Sequence, residues 1–334
     1  MAAGEPRSAN LRRALRSSVK EAVWLLTRHT PGELNDIGLF ATRRGGSTWL
    51  MEVIAASEGC RPLDQPLSVG TANLTPGHYR SMPKYLDGEI VCPSQDQLAR
   101  LKPYIDSLLA GEIPVNAPFR IWSRGFRRTT SRQVLKIVGA KSIICWLDDE
   151  FDIDVVYLTR HPITQALSCV RNDWTLTVRA YLDNQRFVEA HLADGLEARC
   201  HDILVGGTEL DRFVLNWGLE NLIPWTASAS RPQWTNVSYE ATVLRAEETV
   251  STLADRLSLG DPSRLIDSAL RPSRSSGLST RSRRDAMHEG DANLLLKAPL
   301  ESVSLAERSS AMRILDDLGV GIYAPAEIEP VTWR

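Results

Sequence analysis

Short apolar runs alternating with helical stripes predict an α/β protein whose strands lie in a parallel sheet. Three stretches carry this prediction. Ile37 to Ala41 is an apolar run too brief for a helix; it breaks at Gly45-Gly46 into a segment where Trp49, Leu50, Val53 and Ile54 share one helical stripe. Val134 to Val138 is a second strand candidate, followed by a helix from Ala140 to about Glu150. Val155 to Leu158 is a continuous apolar run of the kind buried on both faces of a parallel sheet. Arg160 follows at its carboxyl end, where open α/β sheets bind ligands.

Bulk properties set the limits. A chain of 334 residues with 43% hydrophobic content can bury a sizeable core in one large or two modest domains. A formal charge of −2 argues against a generally basic nucleic-acid surface, while local arginine clusters can still hold small anions. The five cysteines are odd in number and lack a CxxC pair, which argues against a disulfide framework or structural zinc. No stretch approaches the roughly 18 consecutive apolar residues of a membrane span, and the N-terminus lacks a signal-peptide core. A soluble cytoplasmic protein is expected.

In chain order, residues 1–35 hold an amphipathic helix in which Arg12, Arg13, Arg16 and Lys20 alternate with Leu11, Leu15, Val19, Val23 and Leu26. Its apolar stripe is expected to pack on the core with the basic face solvated, a membrane surface being the alternative. Thr30-Pro31-Gly32 ends it. After the first strand, Ser47 and Thr48 fall in the first helical turn, where backbone N–H groups lack intrahelical partners. Those groups and the helix dipole attract an oxyanion, the glycines let backbone approach it, and Arg43 and Arg44 add donors. The pattern G-x-x-x-x-G-K-[ST] is absent: Ala41, not glycine, stands five residues before Gly46, and no Lys follows it. An ordinary Mg-ATP loop is therefore disfavoured.

Residues 60–130 are punctuated by prolines (Pro62, Pro66, Pro76, Pro83, Pro93, Pro103, Pro114, Pro118), and only Ser94 to Ala110 reads as helix. Such an insertion suits a lid over a binding site. Past Arg160, Pro162 opens a helix whose stripe is Ile163, Ala166, Leu167 and Val170. Ser168 lies off that stripe, so it can share an anion with Arg160. Helices follow at about 180–201 and 208–222, the second opened by the Thr208 cap and stopped at Pro224. Trp234 to Tyr239 alternates like a strand, and Val250, Leu253, Ala254 and Leu257 mark a helix closed by Gly260. After a short helix ending at Leu270, residues 271–284 are basic and hydroxyl-rich. The last helix, with Leu305, Ser309, Met312 and Leu315 on one side, looks structural.

The stretch Thr42-Arg43-Arg44-Gly45-Gly46-Ser47-Thr48-Trp49-Leu50 resembles the 5′-phosphosulfate loop of sulfotransferases that use 3′-phosphoadenosine 5′-phosphosulfate (PAPS). A second motif is similar to that family's 3′-phosphate element: Arg160 ends a buried strand and Ser168 lies eight residues later on the next helix. The resemblance implies a P-loop-like three-layer α/β/α sandwich around a parallel sheet, with PAPS as donor and no metal. It implies Arg44 as the catalytic basic residue, usually Lys. Arg43, Gly45, Gly46, Ser47 and Thr48 then bind the 5′ end, and Arg160 and Ser168 the 3′-phosphate. Trp49 either stacks on adenine or begins the helix's apolar stripe. Tyr239, in Val237-Ser238-Tyr239-Glu240, is implied near the adenosine. The family's C-terminal basic loop corresponds to 271–284, with Ser273 and Arg274 as candidates, although the cytosolic Arg-Lys-Gly form is absent.

The organisation expected is an N-terminal helical extension (1–35), a donor-binding domain (36–290) carrying the 60–130 insertion, and a helical tail (291–334). For the general base, no His lies between Val134 and Lys141, where the cytosolic branch places one. Carboxylate branches put an acid soon after the first helix. That makes Asp64 the first candidate and His78 the second, followed by Glu58 and Lys136. The implied acceptor is a hydroxyl or amine of a small molecule or carbohydrate, with Phe119, Trp122 and Phe126 lining either a pocket or a small core. No nucleic acid or membrane span is expected, and a homodimer is left open. A nucleoside-phosphate kinase and a non-catalytic nucleotide-binding protein stand as alternatives.

Overall fold

Strands apolar on both faces need cover on both sides, and helices supply it in this chain. The structure, a computed structural model, describes residues 7–68, 75–84, 88–115, 126–271, 285, 289 and 291–331, and in the first helix the side chains of Leu15 and residues 17–25. Its strands are β1 (Arg28–His29), β2 (Asp36–Ala41), β3 (Cys60–Asp64), β4 (Thr129–Thr130), β5 (Arg132–Ile137), β6 (Ile153–Thr159) and β7 (Thr235–Ser238). Five of them form one parallel sheet in the order β3-β5-β2-β6-β7, and β1 pairs with β4 apart from it. Ile37 sits opposite Val134 on one side and Asp154 on the other, so β2 is central.

The helices are α1 (Arg7–Leu25), α2 (Ser47–Ile54), α3 (Pro76–Ser81), α4 (Gln95–Leu109), α5 (Ile144–Glu150), α6 (Pro162–Arg171), α7 (Val178–Leu182), α8 (Gln185–His191), α9 (Leu196–Gly206), α10 (Glu209–Ser228), α11 (Tyr239–Leu244), α12 (Ala246–Arg256) and α13 (Pro262–Ala269), with a C-terminal helix Leu305–Asp317. On one face of the sheet, Leu50 and Met51 of α2, Val250 and Leu253 of α12 and Leu265 of α13 cover Ile37, Leu39, Val156 and Leu158. On the other, α4 and α5 cover Phe40, Leu135, Ile137 and Val155. The layers are therefore α/β/α. A helical core built on α6, α7, α10 and the C-terminal helix adjoins them, with Trp217, Leu215 and Met312 at its centre.

Several elements depart from the sequence expectation. The stretch expected as one helix over 180–201 is three short ones. Asn184 caps α8 by accepting from Phe187 N–H at 3.0 Å, and Gly195 at φ 84° starts α9. Helix α10 does not stop at Pro224 but runs to Ser228, because buried Pro224 and Trp225 hold the chain helical while proline removes a single backbone donor. The proline-punctuated region supplies a strand and a helix that its composition hides. Pro62 lies within β3, where the outer position in the sheet tolerates a missing N–H. Helix α3 is capped by Thr75 and opens on Pro76. Finally, α1 is turned the other way from expectation: Ser17 is buried, whereas Leu15 and Val19 are exposed.

Candidate functional site

All five strands of the sheet end on the same side, and each ends at a residue of the predicted site. Strand β2 runs into Thr42–Gly46, β3 ends at Asp64, β5 carries Lys136 next to its end, β6 runs into Arg160, and β7 into Tyr239. The chain leaves β2 toward β3 on one side and leaves β6 toward β7 on the other. The loops after β2 and β6 therefore diverge and open a crevice, the place where open α/β sheets bind ligands.

The turn after β2 owes its shape to two left-handed residues. Arg44 has φ 62° and Gly46 φ 91°, and Gly45 N–H bonds back to Thr42 C=O at 3.1 Å. Helix α2 starts at Ser47 with no side chain among the described residues capping its N-terminus, so its first N–H groups point into the turn. Neither glycine has room for a side chain. A Cβ on Gly45 would stand 2.9 Å from Thr42 O, and one on Gly46 would stand 2.6 Å from the Tyr239 ring. Gly46→Ala is expected to lower stability by about 1–3 kcal/mol through its positive φ and this overlap. Thermal unfolding checks it, and an unchanged melting temperature would contradict the packing described.

Three side chains separated in sequence meet above the turn. Arg44 Nε donates to Ser168 Oγ at 3.2 Å, and Arg160 Nη1 donates to Arg44 C=O at 2.9 Å. The Arg160 guanidinium lies 4.5 Å from the Tyr239 ring centroid, and its Nε reaches Thr164 Oγ1 at 3.3 Å. Its Nη2 is buried with no hydrogen-bond partner among the described residues, as is Thr42 Oγ1. Burial, and then the neighbouring Arg160, push the Arg44 guanidinium below its ordinary pKa. Two arginines that repel each other in a half-buried crevice leave a positive field that an anion relieves.

Arg43 points elsewhere. Its guanidinium contacts Glu89 at 2.6 Å and Glu220 at 3.2 Å, and Glu220 also holds Lys141 at 2.9 Å. Burial alone lowers the Arg43 pKa, but Glu220 and Glu89 outweigh it and hold the group above its ordinary value. Gln165 donates to Arg43 C=O at 2.6 Å. This buried ionic cluster fixes the backbone of the turn from behind.

Lys136, last in the order of base candidates, lies between Asp64 and the turn. It contacts Asp64 at 2.5 Å and donates to Thr48 Oγ1 at 3.2 Å, linking Asp64 to the first turn of α2. A lysine interrupting the apolar run Val134–Val138 is the signal that could have found it. Gln65 N–H bonds to Lys136 C=O at 3.0 Å and keeps Asp64 at the sheet's end. His78, by contrast, is buried, with Nε2 2.9 Å from both Pro66 C=O and Tyr104 OH, and burial lowers its pKa. Trp49 donates its indole N–H to Ala269 C=O at 3.0 Å and packs on the core under α2, tying α2 to the end of α13. Glu240, unremarked in the sequence beyond its place after Tyr239, accepts from His161 N–H at 2.9 Å and Tyr323 OH at 2.8 Å. It thereby secures the turn that follows Arg160. Ser273, Arg274, Phe119 and Trp122 lie outside the described residues, and Phe126 is half-buried at their edge.

No protein-family model and no curated protein matches the chain. Among solved structures it is similar to the sulfotransferase domain from the curacin biosynthetic pathway, at 15% identity over 86% of this chain and 99% of that one, with a TM-score of 0.45. It is also similar to the sulfotransferase domain of the Synechococcus PCC 7002 olefin synthase (16%, 88% and 98%, TM-score 0.39). A third is the mouse sulfotransferase SULT7A1 complexed with PAP (16%, 92% and 95%, TM-score 0.37).

Proposed function

We propose that the chain is a sulfotransferase that moves a sulfuryl group from PAPS to a hydroxyl or amine of a small-molecule or carbohydrate acceptor. The observation that carries this reading is the meeting of Arg44, Ser168 and Arg160 over an uncapped helix N-terminus. The two motifs that resemble the family's 5′ and 3′ sites are far apart in sequence, yet here they touch. The unpartnered Arg160 Nη2 and the Arg44–Arg160 repulsion fit a donor with anionic groups at both ends. Arg160 and Ser168 would hold the 3′-phosphate, while the N–H groups and hydroxyls of Gly46, Ser47 and Thr48 would hold the 5′ end.

Sulfuryl transfer breaks the bond from sulfur to the oxygen bridging it to the 5′-phosphate and forms one to the acceptor atom. Negative charge grows on the departing oxygen, and a cation set there lowers the barrier. Arg44 takes that role, and Lys136 ties Asp64 to Thr48 of the turn. The acceptor's proton goes to Asp64. Arg43 is saturated by two carboxylates, so its part is to hold the turn.

Calorimetry with 3′,5′-diphosphoadenosine, followed by labelled PAPS and a panel of hydroxylated and amine acceptors, tests the proposal. Donor-dependent labelling of an acceptor is the expected result. Magnesium-dependent turnover of ATP without desulfation of PAPS would replace this reading with the kinase alternative.

The assignment of the base has its own test. Asp64→Asn is expected to lose on the order of 10²-fold in kcat while binding the diphosphate normally, the loss typical of removing a general base. His78→Gln is expected to lower the melting temperature, since it disturbs the buried contacts with Pro66 and Tyr104, and to leave kcat within a few-fold. The reverse pattern in kinetics would move the assignment to His78.

A further inference from the structure

Helix α1 faces the protein with its polar side. Ser17 is buried, Glu21 accepts from Gly77 N–H at 2.9 Å and pairs with Arg80 at 3.3 Å, and Arg61 lies 5.7 Å from the Trp24 ring centroid. The apolar side faces out: Leu15 is 68% exposed, Val19 55%, and Leu26, just past the helix end, 62%. Helical spacing puts positions 11, 15, 19, 22 and 26 on one stripe, and in this chain they are Leu, Leu, Val, Ala and Leu. A surface helix of a globular domain normally turns such a stripe inward, and an outward one marks a docking surface.

The charge beside the stripe says what it fits. Beside the stripe, at helical spacing, stand positions 12 and 16, both Arg. No acidic residue occurs between Arg7 and Lys20, so the first two-thirds of this helix carries positive charge alone in a chain whose overall charge is −2. An apolar stripe edged by cations is the pattern of a helix lying in the boundary between lipid headgroups and acyl chains. No helix among the described residues is long and apolar enough to cross a membrane, so attachment of this kind is peripheral.

We propose that α1 docks this protein on an anionic lipid surface, with the Leu15–Val19–Leu26 stripe in the headgroup boundary and the basic row against the lipid charges. A second copy of the chain is the less favourable occupant. Pairing two such stripes symmetrically brings two basic rows together, a repulsion that an anionic bilayer turns into attraction.

Flotation of the full chain with vesicles tests this directly. Vesicles of phosphatidylcholine with about a third phosphatidylserine are expected to carry the protein, with binding at least about tenfold weaker on phosphatidylcholine alone and weakened by added salt. Leu15→Glu with Val19→Glu, both at exposed positions, is expected to keep the circular dichroism and melting temperature and to cut vesicle binding roughly tenfold or more. Arg12→Glu with Arg16→Glu gives an independent arm, expected to abolish the preference for the anionic vesicles. Absence of binding to the mixed vesicles, equal binding to both compositions, or indifference to the Leu15/Val19 pair would overturn the proposal. So would a dimer in sedimentation velocity that this pair disperses while vesicle binding is missing, since the stripe would then belong to a second copy.

Discussion

Arg44→Ala is expected to lower kcat by roughly 10²- to 10³-fold, with a much smaller loss of donor affinity, because the charge Arg44 faces is largest in the transition state. Its placement supports so large an effect. Arg44 sits at φ 62°, a conformation that costs a non-glycine residue energy, and it is held there by Arg160 bonding its C=O and by Ser168 accepting from its Nε. A guanidinium fixed before the reaction needs no reorganisation when charge develops. Arg44→Lys keeps a point charge but loses the fork, so an intermediate rate is expected. Arg43→Ala should act differently. It strips a partner from buried Glu89 and Glu220, and its effect is expected in thermal stability first. Single-turnover rates and nucleotide titrations on the three variants separate these outcomes. Equal losses in kcat for Arg43→Ala and Arg44→Ala, with both proteins folded, would remove the distinction drawn between them.

Arg160→Ala is expected to weaken binding of 3′,5′-diphosphoadenosine by about 2 to 4 kcal/mol, the scale of a charge-assisted contact whose loss leaves a buried partner unpaired. The 5′-monophosphate should be affected far less. The comparison matters because Arg160 also bonds Arg44 C=O and lies against Tyr239, so the change loosens the turn as well. Loosening the turn weakens both nucleotides alike; losing a 3′-phosphate ligand weakens one. Calorimetry with the two nucleotides therefore decides the role, and equal losses would make Arg160 a support of the turn only. Ser168→Ala should follow in the same direction with a smaller effect, as a neutral hydroxyl contributes less than a guanidinium.

Local patterns in the chain were sufficient for β2, β6, the turn between Ala41 and Ser47, and the helices that follow each strand. Apolar runs, glycine pairs and an N-terminal proline act within a few residues, so they can be read without knowing what lies across the sheet. The same locality hid β3, because Cys60–Asp64 is a strand only by virtue of pairing with β5, and its proline reads as a break until the strand is seen at the sheet's edge. It also hid the division of labour between adjacent arginines. Arg43 and Arg44 are neighbours of one chemical type, and what separates them is the buried Glu89 and Glu220 on one side and Ser168 and Arg160 on the other. All four lie at least 45 positions away in the chain. Helix α1 is the sharpest instance. Its amphipathic period was plain in the sequence, but a period cannot say which side faces the protein. That was decided by Glu21 meeting Gly77 and Arg80, by Trp24 meeting Arg61 and by the burial of Ser17, contacts whose geometry exists only once the distant segments have folded against the helix.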